Sequence, residues 1–181
     1  MAPRPIGWVS SIDLQGRPNL APYSFFNAIS SFPPMVFFTS EGRKDSLINV
    51  EATGEFVCNL VNAALAQAMN TTSAAVAHGV DEMVLAGLPA APSTVVKPPR
   101  VADALAALEC KLLQVIQLAG LDGEKLDTWV VMGEVVGVHI NPAYLKDGIF
   151  DTAAARPIAR CGYRGDYTEV TSLFEMIRPT V

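Results

Sequence analysis

The chain has 181 residues, 19.3 kDa and a formal net charge of −5, enough length for one domain with a sizeable core and no basic run suited to a nucleic-acid backbone. Half of the residues are hydrophobic and only 17% charged, which favours a buried subunit interface or a deep cofactor pocket over a fully solvated surface. Three cysteines (Cys58, Cys110, Cys161) without C-x-x-C spacing, and two histidines, argue against a disulfide framework or structural zinc and for a reducing, cytoplasmic setting; no apolar run reaches the roughly eighteen residues of a bilayer span.

In chain order, 6–12 (IGWVSSI) and 18–23 (PNLAPY) flank a short polar connection, Asp13 to Arg17, that contains Gly16, and this predicts a β-hairpin. Met35 to Ser40 is a third strand, bounded by Pro33-Pro34 and Glu41-Gly42. A short helix is expected over Leu47 to Ala52, with Asp45 or Ser46 as its cap and Gly54 at its left-handed end. A strand over 55–61 and a helix over Ala63 to Asn70 follow, the latter sharing a face between Leu65, Ala68 and Met69. Residues 71–100 have weak periodicity and read as an excursion with short helical turns. Alternation from Leu108 to Leu118 sets Leu108, Cys110, Leu112, Ile116 and Leu118 against Glu109, Lys111 and Gln117, and Trp129 to Ile140 forms a second long strand. Strands outnumber helices, so a single mainly β domain over 1–181, a small β-barrel with helical insertions, is expected rather than alternating βαβ units.

Two short stretches carry chemistry. Ser24, Phe25, Phe26 and Asn27 can present amides, a hydroxyl and aromatic surface to a flat heterocycle; on composition alone the ordinary alternative, with Phe25 and Phe26 as core residues and Asn27 as a turn residue, is favoured. Lys44, Asp45 and Ser46 put a positive charge, free N–H groups and a hydroxyl at a helix start, which suits a terminal phosphate; an ordinary surface lysine beside a cap is the alternative. A ring site joined to a phosphate site is a nucleotide-cofactor pattern, and a flavin has both halves. No G-x-G-x-x-G follows a strand, so a dinucleotide fold is not indicated. His139 reads as a core or interface residue, His78 as solvated, and Cys161 has no neighbouring base to make it a nucleophile.

As an ordered set, Arg4-Pro-Ile-Gly-Trp-Val-Ser10, Asn19 to Ser31 with Pro33-Pro34, Lys44-Asp-Ser46 and Thr53-Gly-Glu-Phe-Val-Cys-Asn-Leu60 resemble the flavin-reductase-like, FMN-binding split-barrel family. The likeness continues through Ala68-Met-Asn-Thr-Thr-Ser73, Gly79-Val-Asp-Glu82, Leu108-Glu-Cys110 and Gly133-Glu-Val-Val136. The resemblance implies a Greek-key split barrel, assembled as a homodimer, with noncovalent FMN near the subunit interface. Ser24 to Asn27 would then meet the isoalloxazine, and Ser30, Ser31, Lys44 and Ser46, with Asp45 beside them, the ribityl and phosphate oxygens. Arg4, Pro5 and Trp8 would line the pocket, and Arg160 and Tyr163 would approach the flavin, although Cys161-Gly162 departs from the family pattern there. Relatives usually carry some twenty residues before the Pro-Arg-Pro motif. The implied activity is an NAD(P)H:flavin oxidoreductase, in which the cofactor does the redox chemistry and no side-chain base or metal is needed. The alternative is a flavin carrier or sensor without turnover.

Overall fold

The computed structural model describes residues 1–180; Val181 lies outside them. Strands β1 (Gly7–Ile12), β2 (Pro18–Tyr23), β3 (Phe26–Ser31), β4 (Pro34–Glu41), β5 (Glu55–Asn59), β6 (Ala106–Ala119) and β7 (Lys125–Ile140) form one antiparallel sheet in the order β2-β1-β5-β6-β7-β4-β3. The two edge strands, β2 and β3, are consecutive in the chain and joined only by Ser24-Phe25, so the sheet must curl until its edges meet. They meet at one corner. There Thr39 N–H donates to the Phe25 carbonyl (2.9 Å), and the Phe26 ring lies so close to Gly7 that a Cβ at that position would come within 2.5 Å of it. Away from this corner β2 keeps a free edge. Pro18 and Pro22 supply no N–H along it, and the Leu20 N–H is taken by Glu82, so no further strand can be added.

Inward-facing residues fill the barrel: Val9, Tyr23, Val36, Phe38, Phe56, Cys58, Cys110, Trp129 and Val131. Helix α1 (Asp45–Thr53) plugs one end with Leu47 and Val50, each fully buried, and Gly54 ends it in the left-handed conformation. Burial of two such side chains, worth roughly 1.5–3 kcal/mol each, fixes where the helix begins and therefore where Lys44 points. A second core lies outside β1 and β2, where Ile6, Trp8 and Leu20 meet Val61, Met69, Met83, Val101 and Ile158. Its cover is the excursion after β5, which holds a 3₁₀ turn (Ala63–Leu65), α2 (Ala66–Thr71) and a helical turn (Glu82–Leu85). A small hairpin, β8 (Ile158–Arg160) and β9 (Tyr167–Glu169), pairs through β8 with Arg4–Pro5.

Several expectations are corrected. Helix α1 begins two residues before Leu47 and has Lys44 at its cap position without a side-chain cap, so neither Asp45 nor Ser46 caps it. The 63–70 helix is split into a 3₁₀ turn and α2, and the strand expected over 55–61 stops at Asn59. Phe26–Ser31 is an edge strand, an element not among those expected. On β6, Leu112 pairs with Gly133 but Gln114 with Met132, so Leu113 is an extra residue that inverts the alternation. Leu108, Cys110, Leu112 and Val115 pack on the barrel core, while Ile116 turns outward with Val130.

Candidate functional site

The free edge of β2 is one wall of a cleft. Its first chamber, about 330 Å³, is lined by Asn19, Ala21, Pro22 and Tyr23 of that strand, by Lys44 to Ser46, by Glu82, and by residues 72–76 of the excursion. A second chamber of about 290 Å³ shares Pro22 and Ser73 with it and adds Ile6, Ser24, Met69, Asn70, Arg160, Gly165 and Tyr167. A third, about 420 Å³, shares Met69, Asn70, Gly165 and Tyr167 with the second and runs out along α2 and β9. Each is of the size of a small-ligand pocket.

The first chamber gathers one positive charge and a set of backbone donors. Helix α1 has no side-chain cap, so its leading N–H groups and the positive end of its dipole face the space beside Lys44, which is in no ion pair among the described residues. Arg43, by contrast, is paired with Glu51 and stacked 5.5 Å from the centre of Trp129. Asp45 Oδ1 lies 2.9 Å from His78 Nδ1, and His78 Nε2 lies 3.3 Å from Arg17 Nη2, so an imidazole protonated at Nδ1 can donate to Asp45 and accept from Arg17. This holds the Asp45 carboxylate against His78 of the excursion.

A buried polar network fixes the chamber floor. Ser46 Oγ donates to Asn19 Oδ1 (2.8 Å), Asn19 Nδ2 to Glu82 Oε1 (3.0 Å), and Leu20 N–H to Glu82 Oε2 (2.9 Å). Burial pushes the Glu82 carboxyl above its ordinary range, and burial likewise raises the Tyr23 phenol. The Tyr23 hydroxyl, on the chamber wall, has no hydrogen-bond partner among the described residues.

In the second chamber Ser24 Oγ accepts from Arg4 Nε and Nη2 (3.3 and 3.2 Å), and the Arg4 guanidinium stands 5.1 Å from the Phe25 ring centre. Arg160 stacks 5.0 Å from Tyr167. The structure thus brings together Lys44, Asp45, Ser46, Ser24 and Arg160, with Arg4 and Phe25 behind Ser24.

Other expected site residues stand elsewhere. Trp8 is fully buried in the second core, its indole N–H donated to Thr72 Oγ1 (2.9 Å), and has no surface to offer a ligand. Tyr163 is 80% exposed and lines none of the three chambers; Tyr167, across the hairpin, takes that place. Pro5 pairs with Ala159 and is exposed, and Phe26 packs on the barrel core. Asn27, Ser30 and Ser31 lie on the edge strand, outside the chambers of this chain; Asn27 and Ser30 stand level with Phe37 and Met35 on the barrel's outer face. Asn70, Thr72, Ser73, Asn19 and Glu82 line the chambers without having been named as site residues. The hydroxyl-rich run Thr71-Thr-Ser73 was the signal available for Thr72 and Ser73. His139 contacts Glu109 and lies far along β7 from this cleft, as a structural residue.

Among the described residues no group of three or more His, Cys, Asp or Glu could hold a metal, and no helix is long and apolar enough to cross a membrane. The flavin reductase like domain family matches residues 1–157. A protein of Deinococcus radiodurans is 38% identical over 193 residues, covering 99% of this chain and 82% of that protein. Nitrilotriacetate monooxygenase component B from Bacillus cereus has a TM-score of 0.91 at 29% identity, over 97% of this chain and 88% of that one. For the 2-nitrobenzoate 2-nitroreductase of Pseudomonas fluorescens the values are 0.88 and 28%, over 99% and 87%.

Proposed function

The chain belongs to the flavin reductase-like family of flavin-linked oxidoreductases, and on that premise we propose that it holds FMN noncovalently and takes hydride from NAD(P)H. The observation that carries this reading is an unpaired Lys44 at an uncapped helix start, opening into a cleft that continues past Pro22 to Ser24 and Arg160. A phosphate fits the first chamber because Lys44 and the α1 N–H groups supply charge and donors there, over a floor in which the Ser46 hydroxyl is bonded to Asn19. The ring would lie along Pro22 and the second chamber, against Ser24, Arg160 and Tyr167. When bound, the flavin supplies hydride-accepting chemistry. This chain's residues then have positioning work only: Arg4 holds the Ser24 hydroxyl, Asn19 and Glu82 hold Ser46, and Met69 and Ile6 keep the second chamber's wall apolar. The third chamber, continuous with the second, offers room for the nicotinamide nucleotide beside Tyr167.

The same reading includes a homodimer in a single-domain fold. Met35, Phe37, Val130 and Met132 are half-buried and Ile116 exposed on one outer face of the barrel, an apolar surface that no element of this chain covers among the described residues. A reducing cytoplasmic setting agrees with Cys58 and Cys110, two buried free thiols in one core; contact with Cys110 and then burial push the Cys58 thiol well above its ordinary range, which keeps it inert.

The test is reconstitution with FMN and with FAD, followed by anaerobic mixing with NADH and NADPH. Bleaching of bound flavin, and release of FMN on denaturation, is the expected result. Tight FMN without bleaching by either nucleotide would make the protein a carrier, and failure to bind any flavin would remove the reading altogether. Light scattering is expected to give twice 19.3 kDa.

A further inference from the structure

After β9 the chain makes one more backbone bond, Val170 N–H to the Pro157 carbonyl (2.9 Å), and then runs on without secondary structure. Residues 171–180 are all exposed, and none is in a hydrogen bond or ion pair among the described residues. Their composition is wrong for a solvated tail. Leu173, Phe174, Met176 and Ile177 are 65%, 86%, 84% and 83% exposed, while Glu175 and Arg178 bracket the last two. A segment this apolar has a surface to meet.

A matching surface exists on the same chain. Phe37, Met35, Met132, Val130 and Ile116 face outward from β4, β7 and the far half of β6, and next to Met35 stand Glu134 and Lys111, register partners in no ion pair among the described residues. Arm and face thus each carry an apolar stripe with one unpaired acid and one unpaired base, and the charges complement one another. On its own chain the arm leaves Leu173, Phe174, Met176 and Ile177 65–86% exposed, so it does not lie on this face. Ten extended residues span at most roughly 33–36 Å, enough to reach across an adjoining subunit.

We propose that residues 171–180 are an exchanged arm, which in the dimer leaves its own barrel and lies across the Phe37, Met132 and Ile116 face of a second copy. This rests on the homodimer proposed above and deepens it by naming what binds what. The exchange is reciprocal, so each contact occurs twice. The six large arm side chains, Leu173 to Arg178, and the surface they cover remove on the order of 1,000–1,500 Å² from water, which reaches the size of a specific interface.

The test uses full-length protein with Cys161→Ser as background, since Cys58 and Cys110 are buried. A chain with Phe174→Cys is mixed with a differently tagged chain with Met132→Cys, and a short bifunctional thiol reagent is added. The expected product is a covalent dimer joining the two tags; the double variant Phe174→Cys/Met132→Cys should link mainly between chains. Linkage only within one chain, or none while light scattering still reports a dimer, overturns the arm exchange and leaves the dimer standing. A monomer at all concentrations overturns both. Phe174→Glu with Ile177→Glu should keep the near-UV circular dichroism of the barrel, because both side chains are more than 80% exposed and belong to none of its cores, and should weaken the dimer by about a hundredfold or more. An unchanged dimer constant in that variant also overturns the proposal.

Discussion

One outer face of this barrel is covered by its own chain and another is left bare, although both are laid down by the same alternation of strand residues. Trp8 and Leu20 on β1 and β2 are fully buried because the excursion after β5 brings Val61, Met69, Met83 and Val101 over them. Phe37, Val130 and Met132 receive no such cover. Outward apolar residues on a barrel strand therefore do not reveal what will cover them. The covered face, with its free β2 edge, also becomes a wall of the cleft, because the same excursion that buries Trp8 delivers Thr72 and Ser73 to the first chamber. The bare face contributes nothing to the three chambers described.

The largest expected effect would break this comparison if it failed. Trp8→Ala removes a fully buried indole and its bond to Thr72, whose hydroxyl keeps only the Met69 carbonyl, so unfolding stability should fall by roughly 3–5 kcal/mol, measured by urea titration. Phe37→Ala, on the bare side, should cost the isolated subunit less than about 1 kcal/mol while weakening the dimer by tenfold or more. Equal losses at the two positions would mean that the faces do not differ in kind.

Second in size is the anion corner of the covered side. A hydrogen bond to a charged group is worth roughly 1.5–3 kcal/mol, so Lys44→Ala should weaken FMN by about ten- to over a hundredfold and leave riboflavin nearly unchanged. Added salt should weaken FMN more in the parent than in the variant. Equal loss for both flavins would reduce Lys44 to a folding residue.

How far the sequence carried depends on which physics set each feature. The long strands, the β1–β2 hairpin and the Gly54 stop follow from local preference and were legible in Val, Ile and aromatic alternation and in turn residues. The inversion at Leu113 was not, because a bulge inserts one residue without altering composition, and it sends Ile116 to the bare face. Trp8 was assigned to a pocket on motif likeness alone. Its fate was decided by the excursion, whose weak periodicity hid where it would pack. Lys44 to Ser46 was legible as a helix start, whereas Tyr167 and Glu82 reach the cleft only through tertiary contacts.

The covering segment is itself pinned at one point, and acid should release it. Glu109, fully buried on β6, accepts from Thr94 N–H (2.8 Å) and Oγ1 (2.9 Å), Val95 N–H (2.6 Å), Val96 N–H (2.9 Å) and His139. Burial pushes this carboxyl up, but the bonds from His139 and the three amides prevail and hold its pKa at about 2, against an ordinary 4.5. Since the folded value is the lower one, the stabilisation is complete above about pH 4.5 and disappears as pH falls toward 2. Glu109→Gln should cost roughly 1–3 kcal/mol at neutral pH and flatten the acid limb of the stability profile. An unchanged acid limb would mean that segment 94–96 is held by Val96 packing alone.

The smallest effect tests the seam between the two sides, where β2 passes to β3. Ser24 lines the second chamber and accepts from Arg4, whose guanidinium also bonds the Met1 carbonyl and stacks on Phe25, so Ser24→Ala removes one link and leaves the arginine otherwise held. One net hydrogen bond is worth about 0.5–1.5 kcal/mol, so flavin affinity should fall about two- to tenfold. Unlike Lys44→Ala, this loss should be equal for FMN and riboflavin, because Ser24 lines the second chamber, where the ring is proposed to lie, and not the first. The dimer constant should not move. If Ser24→Ala instead weakens the dimer and spares both flavins, the seam belongs to the bare side, and the ring end of the cleft must be sought beyond it, toward Asn27 and Ser30.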